Sequence, residues 1–116
     1  MMYQKNIDIA QAYYTAMAEK NIVALESFLD TNVIFVAPLA TRIGKDEVVG
    51  AIKNFMAFFI TLTIRAQFGS QDQALIVYTL DFPAPIGKVE TVALLNIKDG
   101  LVTKIELFYD ARPFTK

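Results

Sequence analysis

The sequence predicts an α+β fold in which three helices, with one strand among them, precede a run of strands forming a bent antiparallel or mixed sheet. Three observations predict it. Apolar residues recur at the helical period through the first half of the chain, and from Ile60 onward the runs become rich in β-branched and aromatic residues. Asp99-Gly100 separates the last two of those runs, and Asp-Gly between apolar stretches is a strong signal for a two-residue hairpin turn. Helices grouped ahead of strands, rather than alternating with them, imply a sheet that is mainly antiparallel.

The first helix runs from Ile7 to Glu19, where Ile9, Tyr13, Ala16 and Met17 share a face and Asn6 is the expected N-cap. Lys20 and Asn21 end it, and Asn21 caps a short second helix, Ile22 to Leu29, closed by a turn at Asp30, Thr31 and Asn32. Val33 to Ala37 reads as a buried strand. Pro38 stops it because proline cannot donate to a ladder, and the segment to Gly44 reads as a loop carrying Arg42. Lys45 to Phe59 is the third helix, with Asp46 and Glu47 at its positive end. Four strands follow as a meander: Ile60 to Phe68, Ala74 to Phe82, Lys88 to Lys98 and Leu101 to Tyr109.

At 116 residues and 54% hydrophobic content, the chain reads as a single domain over 1–116 with enough apolar surface for a core. Its 11 basic and 12 acidic side chains leave a net charge of -1 with no basic block, which disfavours nucleic acid or a membrane surface as a partner. The absence of Cys and His excludes thiol nucleophiles, thiolate zinc sites and imidazole acid-base catalysis. No cofactor and no metal are expected. A polar start without a signal-peptide pattern reads as cytoplasmic.

The pieces Ala12-Tyr13-Tyr14-Thr15-Ala16-Met17 with Asn21, Val33 to Pro38, Arg42-Ile43-Gly44-Lys45-Asp46, and Lys98 to Ile105 with Phe108-Tyr109-Asp110 stand in a particular order. That order resembles the nuclear transport factor 2-like superfamily, which includes ketosteroid isomerase and the SnoaL-like polyketide cyclases. The resemblance covers nearly the whole chain. It implies a cone-shaped fold with a pocket at its open end, and a homodimer through the outer sheet face. In the isomerase branch a Tyr on the first helix and two carboxylic acids inside the cone do the chemistry. Tyr13 matches that Tyr, whereas the base falls on Ala37 and the second acid falls near Ala93.

Alternation along the last strands sorts their residues onto two faces. Ile76, Tyr78, Leu80, Phe82, Thr91, Ala93, Leu95, Ile97, Ile105, Leu107 and Tyr109 form the apolar inner set. Val92, Leu94 and Phe108 stand among polar residues on the other face, where they suit a partner surface. The expected ligand-binding residues are therefore Tyr13, Met17, Phe35, Phe55, Tyr78, Leu80, Leu95, Leu107 and Tyr109. Tyr13 and Asp110 are the candidates for a catalytic role, though a core aromatic and a loop brace to Arg112 are the plainer readings. Glu106 and Asp81 would serve as an acid-base pair only if they faced inward, and both belong to the outer set. Arg42 and Arg65 could hold a carboxylate ligand, with an acidic neighbour such as Asp46 or Glu47 as the plainer partner.

Three functions stay open: a protein binding small hydrophobic molecules, a cofactor-independent isomerase, cyclase or hydrolase acting on a hydrophobic cyclic substrate, and a dimerisation domain whose cone is filled by its own side chains. A carboxylate reaching the cavity separates the second from the first, because a general acid or base must lie within hydrogen-bond reach of the proton it moves.

Overall fold

Helix α1 (Met2–Ala18) buries Ala10, Tyr13, Tyr14 and Met17, a set spaced by three, four and seven residues that lies along one side of the helix. The computed structural model describes residues 2–115. The helix begins earlier than its cap signal implies, and Asn6 stands inside it rather than at its end. Asn6 Nδ2 donates to the carbonyls of Ser70 and Gln71, at 3.1 and 3.0 Å. Those turn carbonyls need donors, and an amide held one turn along the helix supplies both at once.

Helix α2 (Ile22–Glu26) starts at Asn21 as expected, with Asn21 Oδ1 accepting from the Ala24 N–H at 3.1 Å, but it lasts only five residues. The expected turn at Asp30, Thr31 and Asn32 is instead part of β1 (Leu29–Ala37). The local turn chemistry survives, since Asp30 accepts from the Asn32 N–H at 2.9 Å, and the strand's register shifts between Leu29 and Ile34. Pairing with the far end of the chain therefore overrides the turn residues, at the cost of an irregular stretch.

The segment expected as a loop after Pro38 holds a second strand, β2 (Ala40–Ile43), paired antiparallel with β1 from Ala37↔Ala40 to Ile34↔Ile43. Helix α3 (Lys45–Met56) buries Val48, Val49, Ile52 and Met56 and stops three residues before Phe59. Phe59 turns inward after the helix and is fully buried, while Lys20 Nζ donates to its carbonyl at 2.6 Å and lies 4.6 Å from its ring centroid.

The remaining strands, β3 (Thr61–Gly69), β4 (Gln73–Asp81), β5 (Lys88–Lys98) and β6 (Leu101–Phe108), form the predicted meander. All six strands make one sheet in the order β2-β1-β6-β5-β4-β3, mixed because β1 runs parallel to β6. Lys98 pairs with Leu101 across Asp99 (φ 53°) and Gly100 (φ 80°), the two positive values that a type I′ turn demands. Register shifts between Ile64 and Ala66, and between Asn96 and Ile97, each accommodate an extra residue and add to the bend of the sheet. The inner set is buried as predicted on β4 and β5, and α1 packs against β4, with the Tyr14 ring 4.7 Å from that of Tyr78. Among the described residues no helix is long and apolar enough to cross a membrane.

Candidate functional site

The bent sheet does not close on the helices at one end, and a cavity of about 240 Å³ remains there. Helix α1 contributes Tyr13, Tyr14 and Met17 to its wall, and α3 contributes Val48, Ile52 and Phe55. The sheet supplies Phe35 and Ala37 from β1, Tyr78 and Leu80 from β4, and Thr91 from β5, with Leu107 and Tyr109 at the end of β6. Leu39 and Phe58 line the mouth and are half exposed, 52% and 47%. Phe114, in a short helical turn (Arg112–Phe114) after β6, packs edge-on against Phe82 and Tyr109 and completes the rim.

Eight of the nine residues expected on the cavity wall line it. The exception is Leu95, which is fully buried between Ala74 and Ile105 on the neighbouring strands. It has the correct face but stands four residues past Thr91 along β5, toward the closed end of the cone, where side chains pack to density. Face is a matter of parity along a strand; depth in the cone depends on where the sheet and helices part.

Among the described residues the wall carries no Asp, Glu, Lys or Arg. Its polar groups are the hydroxyls of Tyr13, Tyr14, Tyr78, Tyr109 and Thr91. Burial pushes the phenols of Tyr13, Tyr14 and Tyr78 far above their usual value, and partly buried Tyr109 is raised for the same reason. Every one of these groups is thus a neutral hydroxyl, able to donate or accept a hydrogen bond but not to take up a proton as a base. The position matched to the isomerase base, Ala37, is on the wall and offers only a methyl group.

The carboxylates lie elsewhere. Asp110 is half exposed and paired with Arg112, whose Nε donates to both carboxylate oxygens at 2.9 Å. This pairing, chiefly its side-chain hydrogen bonds, pulls the acid down to about 2, so it stays ionised at neutral pH. Glu90 accepts from Thr79 Oγ1 and Arg65 Nη1, at 2.6 and 2.8 Å, and Glu106 stands 3.5 Å from Lys104. Neither Glu106 nor Asp81 lines the cavity, and Arg42 donates to the Thr41 carbonyl beside it. Among the described residues no three acidic side chains gather closely enough to hold a metal ion.

The expected ligand-binding residues omit Tyr14 and Phe114, while Phe82 and Thr91, both on the wall, stand in the inner set without a binding role. The signal for Tyr14 was present, since it shares the stripe of Ala10, Tyr13 and Met17. Phe114 lies beyond the last apolar run, after Pro113, and no periodicity reaches it.

The sequence profile of the SnoaL-like domain matches residues 10–105. The chain belongs to that family. Solved structures agree with the fold. This SnoaL-like domain is 21% identical to a protein from Kribbella flavida DSM 17836, with a TM-score of 0.87 over 93% of this chain and 88% of that one. An NTF2-like protein from Cytophaga hutchinsonii ATCC 33406 is 17% identical, with a TM-score of 0.84 over 94% and 93% of the two chains. TerC, co-crystallised with polyporic acid, is 19% identical, with a TM-score of 0.82 over 95% of each chain. At these identities the likeness is one of fold, the nuclear transport factor 2-like cone. No curated protein matches the sequence.

Proposed function

We propose that this SnoaL-like domain binds a small hydrophobic molecule and carries no acid-base pair of its own. The observation that supports this reading is the composition of the wall: apolar side chains with a few neutral hydroxyls and, among the described residues, no carboxylate. Apolar walls and one or two orienting hydroxyls suffice for binding, whereas enolisation needs a base at the reacting carbon and donors aimed at the oxyanion. The co-crystallisation of TerC with polyporic acid indicates that a relative of this fold meets an organic molecule. Ligand pockets commonly measure ~300–1,000 Å³, so a cavity of about 240 Å³ suits a molecule of about two fused rings better than a four-ring steroid.

Two assays test the reading. Calorimetric titration with 2-naphthol is expected to show binding, and ultraviolet absorbance is expected to show no Δ5-to-Δ4 ketosteroid conversion. Turnover at an enzyme's pace would mean that a carboxylate swings into the cone and would favour the isomerase, cyclase or hydrolase reading. A titration without heat, repeated without fluorescence change, would instead favour the cavity as a packing defect.

The outer face supports a second copy of the chain as partner. Val77, Val92 and Phe108 lie side by side across β4, β5 and β6, Phe108 is 53% exposed, and Leu94 sits two residues along β5 on the same face. The pairs Lys104–Glu106 and Arg65–Glu90 give this apolar strip charged neighbours, the pattern of an interface core with a polar rim. Sedimentation is expected to give a dimer, and Leu94→Lys, which places a charge in the strip, a folded monomer. A wild type that sediments as a monomer at high concentration would rule the dimer out.

A further inference from the structure

Thr91 lies on the inner face of β5, opposite Tyr78 of β4 and one residue before the Val92–Phe108 pair, and its side chain is on the cavity wall. The residue is 1% exposed, and among the described residues its Oγ1 is the one buried side-chain polar atom with no hydrogen-bond partner. An unpaired buried hydroxyl opposes folding, and valine would fill the same space without that penalty. Beside its tyrosine hydroxyls, the cavity wall therefore holds one buried polar side-chain atom left without a partner.

We propose that Thr91 Oγ1 is the anchor for the single polar group of an uncharged, otherwise apolar ligand, a phenol, alcohol or ketone. The inference rests on the cavity taking a ligand at all. A threonine hydroxyl both donates and accepts, so it serves a ligand hydroxyl or carbonyl equally. A carboxylate or ammonium group would lose its hydration among walls whose described residues hold no opposite charge, which selects against ionised ligands. The hydroxyl thus sets which end of the ligand points inward, while the aromatic walls set its size.

The test compares 2-naphthol with 2-methylnaphthalene, which carries a methyl group in place of the hydroxyl, by fluorescence titration of the wild type, Thr91→Val and Thr91→Ser. Loss of one hydrogen bond predicts that Thr91→Val weakens 2-naphthol binding about 3- to 10-fold and leaves 2-methylnaphthalene within about twofold. Thr91→Ser restores the preference, and 2-naphthoate binds at least about tenfold more weakly than 2-naphthol to the wild type. Thr91→Ala against Thr91→Ser repeats the comparison of hydroxyl with none should the valine variant fail to fold. Equal 2-naphthol affinity with and without the hydroxyl, or equal loss of both probes, overturns the anchor while leaving the binding cavity standing. Binding of neither probe by the wild type overturns the cavity reading and the anchor together.

Discussion

Between about pH 9 and about pH 11 the protein is expected to lose roughly 4 kcal/mol of stability, a large part of the 5–15 kcal/mol typical of a domain. Tyr13, Tyr14 and Tyr78 are fully buried, and burial holds all three phenols protonated far above their ordinary value. In the unfolded chain the same groups ionise near pH 10, so above that pH unfolding releases three protons. Their contribution is fully present below pH 10 and is lost as pH rises from there toward the folded-state values. One pH unit above 10, each phenol costs about 1.4 kcal/mol, and the three together account for the loss. Urea unfolding at a series of pH values measures it, with phenolate absorbance recorded alongside. Tyr78→Phe is expected to remove about a third of the pH-dependent loss. Phenolate absorbance from these three tyrosines rising near pH 10, with the secondary structure intact, would show that water reaches them freely.

Leu95→Ala is expected to cost about 2 to 5 kcal/mol in urea unfolding, yet to leave 2-naphthol affinity within about twofold of the wild type. Leu95 is fully enclosed at the closed end of the cone, where its truncation leaves a void that rigid neighbours do not fill. A change in affinity as large as that in stability would mean that the cavity extends to that end. Leu95 thereby separates core from cavity wall, two places that inner-face parity alone assigns to the same set of residues.

Much of the architecture is written locally. Period-two alternation on β4, β5 and β6 depends only on pleat geometry, and it sorts Tyr78, Thr91 and Leu107 inward and Val92 and Phe108 outward before any contact is known. The Asp99-Gly100 turn is similarly local, because the twist of the flanking strands and the two positive φ values are settled within four residues. The missing acids are also visible in the sequence, since alanine at position 37 cannot act as a base in any fold.

The segments that sequence reasoning misassigned take their state from distant partners. Asn6 has the chemistry of a cap, yet the carbonyls of Ser70 and Gln71 claim its amide; Asp30 to Asn32 have the chemistry of a turn, yet lie in a strand that pairs with β6. β2 is too short and too polar to announce itself, and exists because β1 offers an open edge. The cavity belongs to the same class. Residue type and alternation dictate that the inner face is apolar, but only the bend of the sheet, the end of α3 at Met56 and the placing of Phe114 decide which part of that face stays open. Thr91 is inward by parity, and its hydroxyl is left unpaired by that tertiary arrangement, because a void is a property of elements that fail to meet rather than of any residue that lines it.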